Sequence, residues 1–152
     1  MQSRDAGEKT RAMELRHGIR VFVFSATAEG TLYLLLRPKP KQEWPWVPVV
    51  GSVNLDEHLQ GACLREVQEE TGIQRPVHLI DLKHQDQTLV GDLGLVEWQF
   101  AYQVPTAQAS LVKPGPRIHD LQWLPFETAF REMESGTDRE GLVRVEVSLS
   151  AG

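Results

Sequence analysis

The chain has 152 residues, 41% of them hydrophobic, which suits one domain of common size with a real core. A formal charge of −5 and a predicted pI of about 5.5 argue against a nucleic-acid-binding surface as the main function, while a local basic site for a small phosphate ligand stays open. One cysteine excludes an internal disulfide and no run approaches a membrane span, so a soluble, cytoplasmic protein is expected.

Residues 1–16, of mixed charge and without an apolar signal core, read as a polar tail ahead of a single domain at 17–152. Over residues 17–26, Ile19, Val21 and Val23 alternate with Arg20, Phe22 and Phe24. That predicts a strand apolar on both faces, hence central in its sheet. A turn at Glu29-Gly30 leads to a second strand over residues 31–37, placed to pair with the first as a hairpin. Residues 37–50, rich in proline and cations, predict an exposed loop rising to a short strand. Arg37, Lys39 and Lys41 serve either solubility or, for Arg37 at its strand end, contact with a substrate phosphate. Trp44 and Trp46 fit packing or base stacking, packing being the commoner use.

Residues 51–73, GSVNLDEHLQGACLREVQEETGI, carry the pattern on which the rest depends. Asn54 followed by Glu57 makes a capping-box-like start, and Gly72 is the usual residue just past a helix end, so a helix of roughly four turns is predicted over residues 56–71. At about 100° per residue, Leu59, Ala62, Cys63 and Val67 share one apolar stripe, with Glu66 and Glu70 inside it and Glu69 at its border. Cys63 is there a packing residue rather than a reactive thiol. Carboxylates on a buried face cost several kcal/mol unless paired or metal-bound, so something cationic should meet them. Oxygen donors at i, i+3 and i+4 suit a hard divalent ion, Mg²⁺ or Mn²⁺, that keeps some waters and shares a substrate's phosphates. Arg65, one residue before Glu66 and four before Glu69, is spaced to hold a ligating carboxylate in place. The bland alternative is a solvated surface helix with a weak Arg65 ion pair. It must treat as coincidence a spacing, G-x5-E-x7-R-E-hydrophobic-x-E-E-x-G-hydrophobic, whose seven fixed letters arise less than about once in 10⁷ starting positions.

That spacing resembles the Nudix box at every defining position: Gly51, Glu57, Arg65, Glu66, Val67, Glu69, Glu70, Gly72 and Ile73. The match covers 23 of 152 residues and is highly specific; the rest of the chain is consistent with the Nudix hydrolase (MutT-like) family without identifying it. The resemblance implies an α+β Nudix fold, a mixed β-sheet sandwiched between helices (α/β/α). It also implies a Mg²⁺- or Mn²⁺-dependent pyrophosphohydrolase. Such an enzyme cleaves the phosphoanhydride of a nucleoside diphosphate joined to another group, releasing a monophosphate product and pyrophosphate or the phosphorylated remainder. Glu66, Glu69 and Glu70 are the implied metal ligands, with Glu57 an outer or water-mediated one. Glu66, Glu69 and Arg65 form the implied catalytic set, Arg65 orienting one of the carboxylates. Gly51, which allows a tight loop against the helix, completes with Arg37 the expected substrate-binding set. For the general base Glu66 leads within the box, with Asp120, Asp92 and Glu97 as candidates outside it. Many members have paired glycines where this chain has Pro48-Val49-Val50-Gly51. The wording from Trp46 to Val53 looks more like the branch of dihydroneopterin triphosphate and dATP pyrophosphohydrolases. The alternative function is a Nudix-fold nucleotide-binding or regulatory domain without turnover, whose usual mark is loss of a box carboxylate; none is lost here.

After the helix, residues 76–85 alternate as a strand running to a loop at 91–94. Residues 95–104 make another, with Val96, Trp98, Phe100 and Tyr102 on one face. A proline-marked loop over 105–116 is of the kind that shapes a pocket mouth. A short strand over 118–124 and a helix opened by Pro125 follow, an order that resembles the C-terminal part of Nudix domains. Over residues 141–152, Val143, Val145, Val147 and Leu149 alternate with polar residues and predict a final strand, where many relatives have a helix. Its exposed edge would offer a route to a homodimer. The other expected partner is a small nucleotide-like diphosphate substrate, with no nucleic acid and no membrane.

Overall fold

The computed structural model describes residues 14–39 and 45–151, so Lys41 and Trp44 lie outside the described residues. The central strand, β1 (Glu14–Thr27), starts three residues earlier than predicted. Along one edge it pairs in parallel with β5 (Leu93–Gln103). Along the other it pairs antiparallel with β2 (Gly30–Pro38) through residues 23–27 and with β3 (Val49–Ser52) through residues 18–21. β4 (His78–Val90) lies outside β5 and β6 (Ile118–Pro125) outside β2, giving the order β4-β5-β1-β2-β6 with β3 beside β1.

The double alternation of β1 explains why helices cover both faces. Ile19, Val21 and Val23 pack with Phe100 and Tyr102 against Ala62, Cys63 and Val67 of α1 (Leu59–Thr71). Phe22 and Phe24 point the other way and pack with Ala101 against Ala129 of α2 (Phe126–Glu132), Met133, and Leu142 and Val145 of α3 (Gly136–Ala151). Each of the larger apolar side chains contributes about 1.5–3 kcal/mol of burial, so the sheet is clamped in an α/β/α sandwich. Among the described residues, no helix is long and apolar enough to cross a membrane.

Two expectations need correction. Residues 136–151 are helix α3, not a strand. Its buried residues are Asp138, Gly141, Leu142 and Val145, a helical i, i+3, i+4, i+7 stripe, while Val143 and Val147 face solvent. Asp138 is tolerated inside because Arg20 donates to it, and Gly141 because a Cβ there would lie 2.3 Å from Phe22 Cζ. Ser135 caps the helix, its hydroxyl accepting the Asp138 N–H at 3.3 Å. Without a strand there, the edge on which a homodimer was expected is gone.

Helix α1 begins at Leu59 rather than at residue 56. The Asn54–Glu57 pairing does form: the Asn54 N–H donates to Glu57 Oε1 at 2.9 Å, and the Glu57 N–H to the Asn54 carbonyl at 3.0 Å. It closes a turn ahead of the helix, with Asp56 at φ 68°, and the N-cap falls on His58. The far end is as predicted, with Gly72 at φ 82° donating to the Gln68 carbonyl.

Candidate active site

The last turns of α1 place its carboxylates at the edge of the sheet. Glu66 and Glu70 are 3% and 6% exposed, Glu69 is exposed, and the predicted inward tilt of this acidic face is therefore present. Gly51 of β3 sits directly against Glu66: a Cβ at Gly51 would lie 2.1 Å from Glu66 Cδ. The glycine is needed here for space, in an extended strand paired with Ile19, and not for a tight loop.

Arg65 ties this corner together. Its Nε and Nη2 donate to the two oxygens of Glu57 at 2.9 and 3.0 Å, its Nη2 also to the Ser52 carbonyl at 2.7 Å, and its Nη1 to Glu66 Oε2 at 2.9 Å. Glu69 Oε2 stands 3.6 Å from the same Nη1. Glu57, above all, holds the Arg65 guanidinium more firmly protonated than usual, and Arg65 in turn holds the Glu57 carboxyl below its ordinary value. With the Asn54 N–H on Oε1, both Glu57 oxygens are engaged.

A second cation arrives from a distance the sequence did not reveal. Arg117, just before β6, puts Nη2 at 3.5 Å from Glu66 Oε1, 3.6 Å from Glu69 Oε1 and 3.5 Å from Glu70 Oε1. The available signal was its place directly after the Pro-Gly-Pro end of the loop expected to shape a pocket mouth. Burial pushes the Glu70 carboxyl up, against the pull of Arg117, and Glu66 and Glu69 add to the rise. A hollow of about 510 Å³ over Arg65, Glu66, Glu69 and Glu70 shares Glu70, Pro116 and Arg117 with a second of about 490 Å³. That second hollow is walled mainly by Leu36, Pro38, Val47, Pro48 and Val50, with Lys39 also lining it. A wider hollow, about 980 Å³ between the start of β1, β5 and residues 53–57, holds none of these three glutamates.

Other expected residues are not brought to this cluster. Arg37 follows the alternation of Tyr33 and Leu35 onto the opposite face, where its guanidinium lies 4.3 Å over the Trp46 ring. Trp46 itself is packed in the core. Asp120 is the register partner of Arg37, Glu97 is paired with Arg20 at 2.8 Å, and Asp92 is exposed at the β4–β5 turn. Of the candidate bases, only Glu66 is in the cluster.

The donor set can be tested against a divalent cation. Among the described residues no group of three His, Cys, Asp or Glu side chains converges closely enough to hold an ion as it stands, and a guanidinium occupies the space between the three glutamates. The chemistry nevertheless fits. All donors are carboxylate oxygens, as Mg²⁺ and Mn²⁺ prefer. Glu70 Oε1 is buried with no hydrogen-bond partner of good geometry among the described residues, Arg117 Nη2 standing off at 3.5 Å. Glu57, Glu66, Glu69 and Glu70 against Arg65 and Arg117 leave two negative charges in excess, the charge of one divalent ion.

No curated protein matches the chain significantly. Solved structures do match, at identities that speak for the fold. A candidate NUDIX hydrolase from Listeria monocytogenes aligns with a TM-score of 0.74 at 18% identity, covering 89% of this chain and 94% of that one. The Escherichia coli dihydroneopterin triphosphate pyrophosphohydrolase gives 0.69 at 21% identity, covering 83% and 91%. A Caenorhabditis elegans Ap4A hydrolase gives 0.69 at 17% identity, covering 90% and 99%. The family model of the NUDIX domain matches residues 15–144, nearly the whole described fold and all of the acidic helix. The chain belongs to the NUDIX family of hydrolases.

Proposed function

We propose that the protein hydrolyses a phosphoanhydride bond in a nucleoside di- or triphosphate derivative with a divalent metal, Mg²⁺ or Mn²⁺, at the carboxyl end of α1. The observation that carries this is the buried pair Glu66 and Glu70, with Glu69 beside them and one Glu70 oxygen that, among the described residues, meets only the exposed Arg117 side chain at 3.5 Å. Such a set is costly in a fold unless a cation completes it. Glu66, Glu69 and Glu70 would hold the metal, which when bound neutralises the phosphate chain and lowers the pKa of an attacking water. Arg65 fixes the orientation of Glu66 from behind, and Glu57 seats Arg65 by taking two of its donors. Glu66, the one candidate base in the cluster, takes the proton of the attacking water. The phosphate chain lies along the hollow over the glutamates, and the group attached to it extends into the apolar hollow beyond Arg117, with Lys39 on its lining.

The wording from Trp46 to Val53 favours a triphosphate that loses pyrophosphate. The test is phosphate and pyrophosphate release with Mg²⁺ from nucleoside triphosphates, nucleotide sugars, dinucleoside polyphosphates and dihydroneopterin triphosphate. One class should turn over, and Glu69→Gln should lower that rate by orders of magnitude in a folded protein. Turnover that survives both Glu69→Gln and Glu70→Gln would place the chemistry elsewhere.

A further inference from the structure

Arg117 is held in an unusual way. Its backbone is fixed: the preceding loop docks on the last carbonyls of α1, Lys113 N–H donating to Thr71 and Gly115 N–H to Glu70, both at 3.0 Å. Gly115 is pressed so close that a Cβ would lie 2.0 Å from the Glu69 carbonyl oxygen. The Arg117 carbonyl accepts from Lys39 N–H at 2.9 Å, which ties the other side to the end of β2. The side chain, by contrast, is 65% exposed, and its shortest approach to a carboxylate among the described residues is 3.5 Å. One nitrogen stands nearly equidistant, at 3.5, 3.6 and 3.5 Å, from one oxygen of each of Glu66, Glu69 and Glu70. A guanidinium that recognises a carboxylate normally uses its fork at shorter range. Here it acts as a point charge at the centre of three acids, with long contacts and high exposure that make it easy to displace.

We propose that Arg117 is a resident counter-ion that exchanges places with the metal. In the metal-free protein it holds the three carboxylates together; when a divalent ion enters, the guanidinium swings out and meets the phosphate of the substrate. The exchange rests on the metal-site reading given above. The fixed backbone keeps the charge within one side-chain length of both positions, and the hollow that holds the glutamates and the apolar hollow meet at Arg117. The consequence is a coupling between metal and anion: the cation released from the carboxylates is the one the phosphate uses.

The experiment is calorimetric binding of Mn²⁺ alone to the metal-free protein, and of methylene diphosphonate at saturating Mg²⁺, for the wild type, Arg117→Ala and Arg117→Met. The exchange predicts that both variants bind Mn²⁺ about tenfold more tightly and the diphosphonate about tenfold more weakly, with unchanged thermal unfolding of the metal-loaded protein. Mn²⁺ affinity that is unchanged or lowered overturns it, and so does diphosphonate affinity that is unchanged. Glu70→Gln in the same assay separates the two levels. If Glu70→Gln binds Mn²⁺ as well as the wild type, the metal-site reading falls and the exchange falls with it; if it binds poorly while the Arg117 variants match the wild type, only the exchange falls.

Discussion

Gly51→Ala tests how closely the sheet and the acidic helix are fitted. The added Cβ would lie 2.1 Å from Glu66 Cδ, 2.4 Å from Cγ and 2.5 Å from Oε2, whereas real Cβ atoms essentially never approach within 3.0 Å. Glu66 must therefore retreat by at least 0.9 Å along the Cβ–Cδ line, and at 3% exposure it has little room to swing aside. A displacement of that size breaks the 2.9 Å bond from Arg65 Nη1 and moves a ligating carboxylate off its position. Misplacement of about 1 Å at a reacting centre costs on the order of 100-fold in rate, while overpacking one methyl costs about 1–3 kcal/mol of stability. The variant should thus stay folded at 25 °C with kcat reduced about 100-fold. Steady-state rates with Mg²⁺ on the responsive substrate, alongside thermal unfolding, read both numbers. A folded Gly51→Ala protein with kcat within about threefold of the wild type would refute the claim that Glu66 needs this exact cradle.

Arg20→Met should destabilise by about 3–5 kcal/mol in urea unfolding, because Asp138, 1% exposed, would lose its cation; a loss under about 1 kcal/mol would contradict that. Tyr102→Phe should raise stability by about 1 kcal/mol, since the buried Tyr102 hydroxyl has no partner among the described residues, and a marked loss would show that one exists. Burial pushes the Cys63 thiol from 9.0 up to about 12, so the folded chain keeps a proton that the unfolded chain releases. That contribution is intact below pH 9 and is lost as pH rises toward 12; correspondingly, a thiol reagent at pH 8.5 should label Cys63 only as fast as the protein opens, and labelling within seconds would contradict its burial.

The parts legible in the sequence were those whose pattern is local. The two interleaved apolar series of β1 state that both faces are covered, and Gly72 marks the end of α1, because alternation and a left-handed cap need only neighbours in the chain. Helix α3 was misread because its inner stripe contains a carboxylate and a glycine. Asp138 counts as a buried residue only once Arg20, on the strand beneath, is known to face it, and Gly141 only once Phe22 is there. The exposed Val143 and Val147 supplied a false period of two. The Ser135-x-x-Asp138 start was the local clue to a helix.

The same distinction holds in the site. Glu66, Glu69, Glu70 and Arg65 share one helix, and their relative placement follows from helical geometry. Arg117 is about fifty residues away in sequence, and its place depends on a loop docking onto helix carbonyls that carry no side-chain signature. Arg37 looked nearer because it precedes the box, but its strand parity sends it to the other face of the sheet.

The most direct test is anomalous diffraction from crystals soaked in Mn²⁺. The account predicts a peak between the carboxylates of Glu66, Glu69 and Glu70, with the Arg117 side chain turned away from them. Glutamates splayed into solvent with no ion among them, or an ion bound only elsewhere, would contradict it.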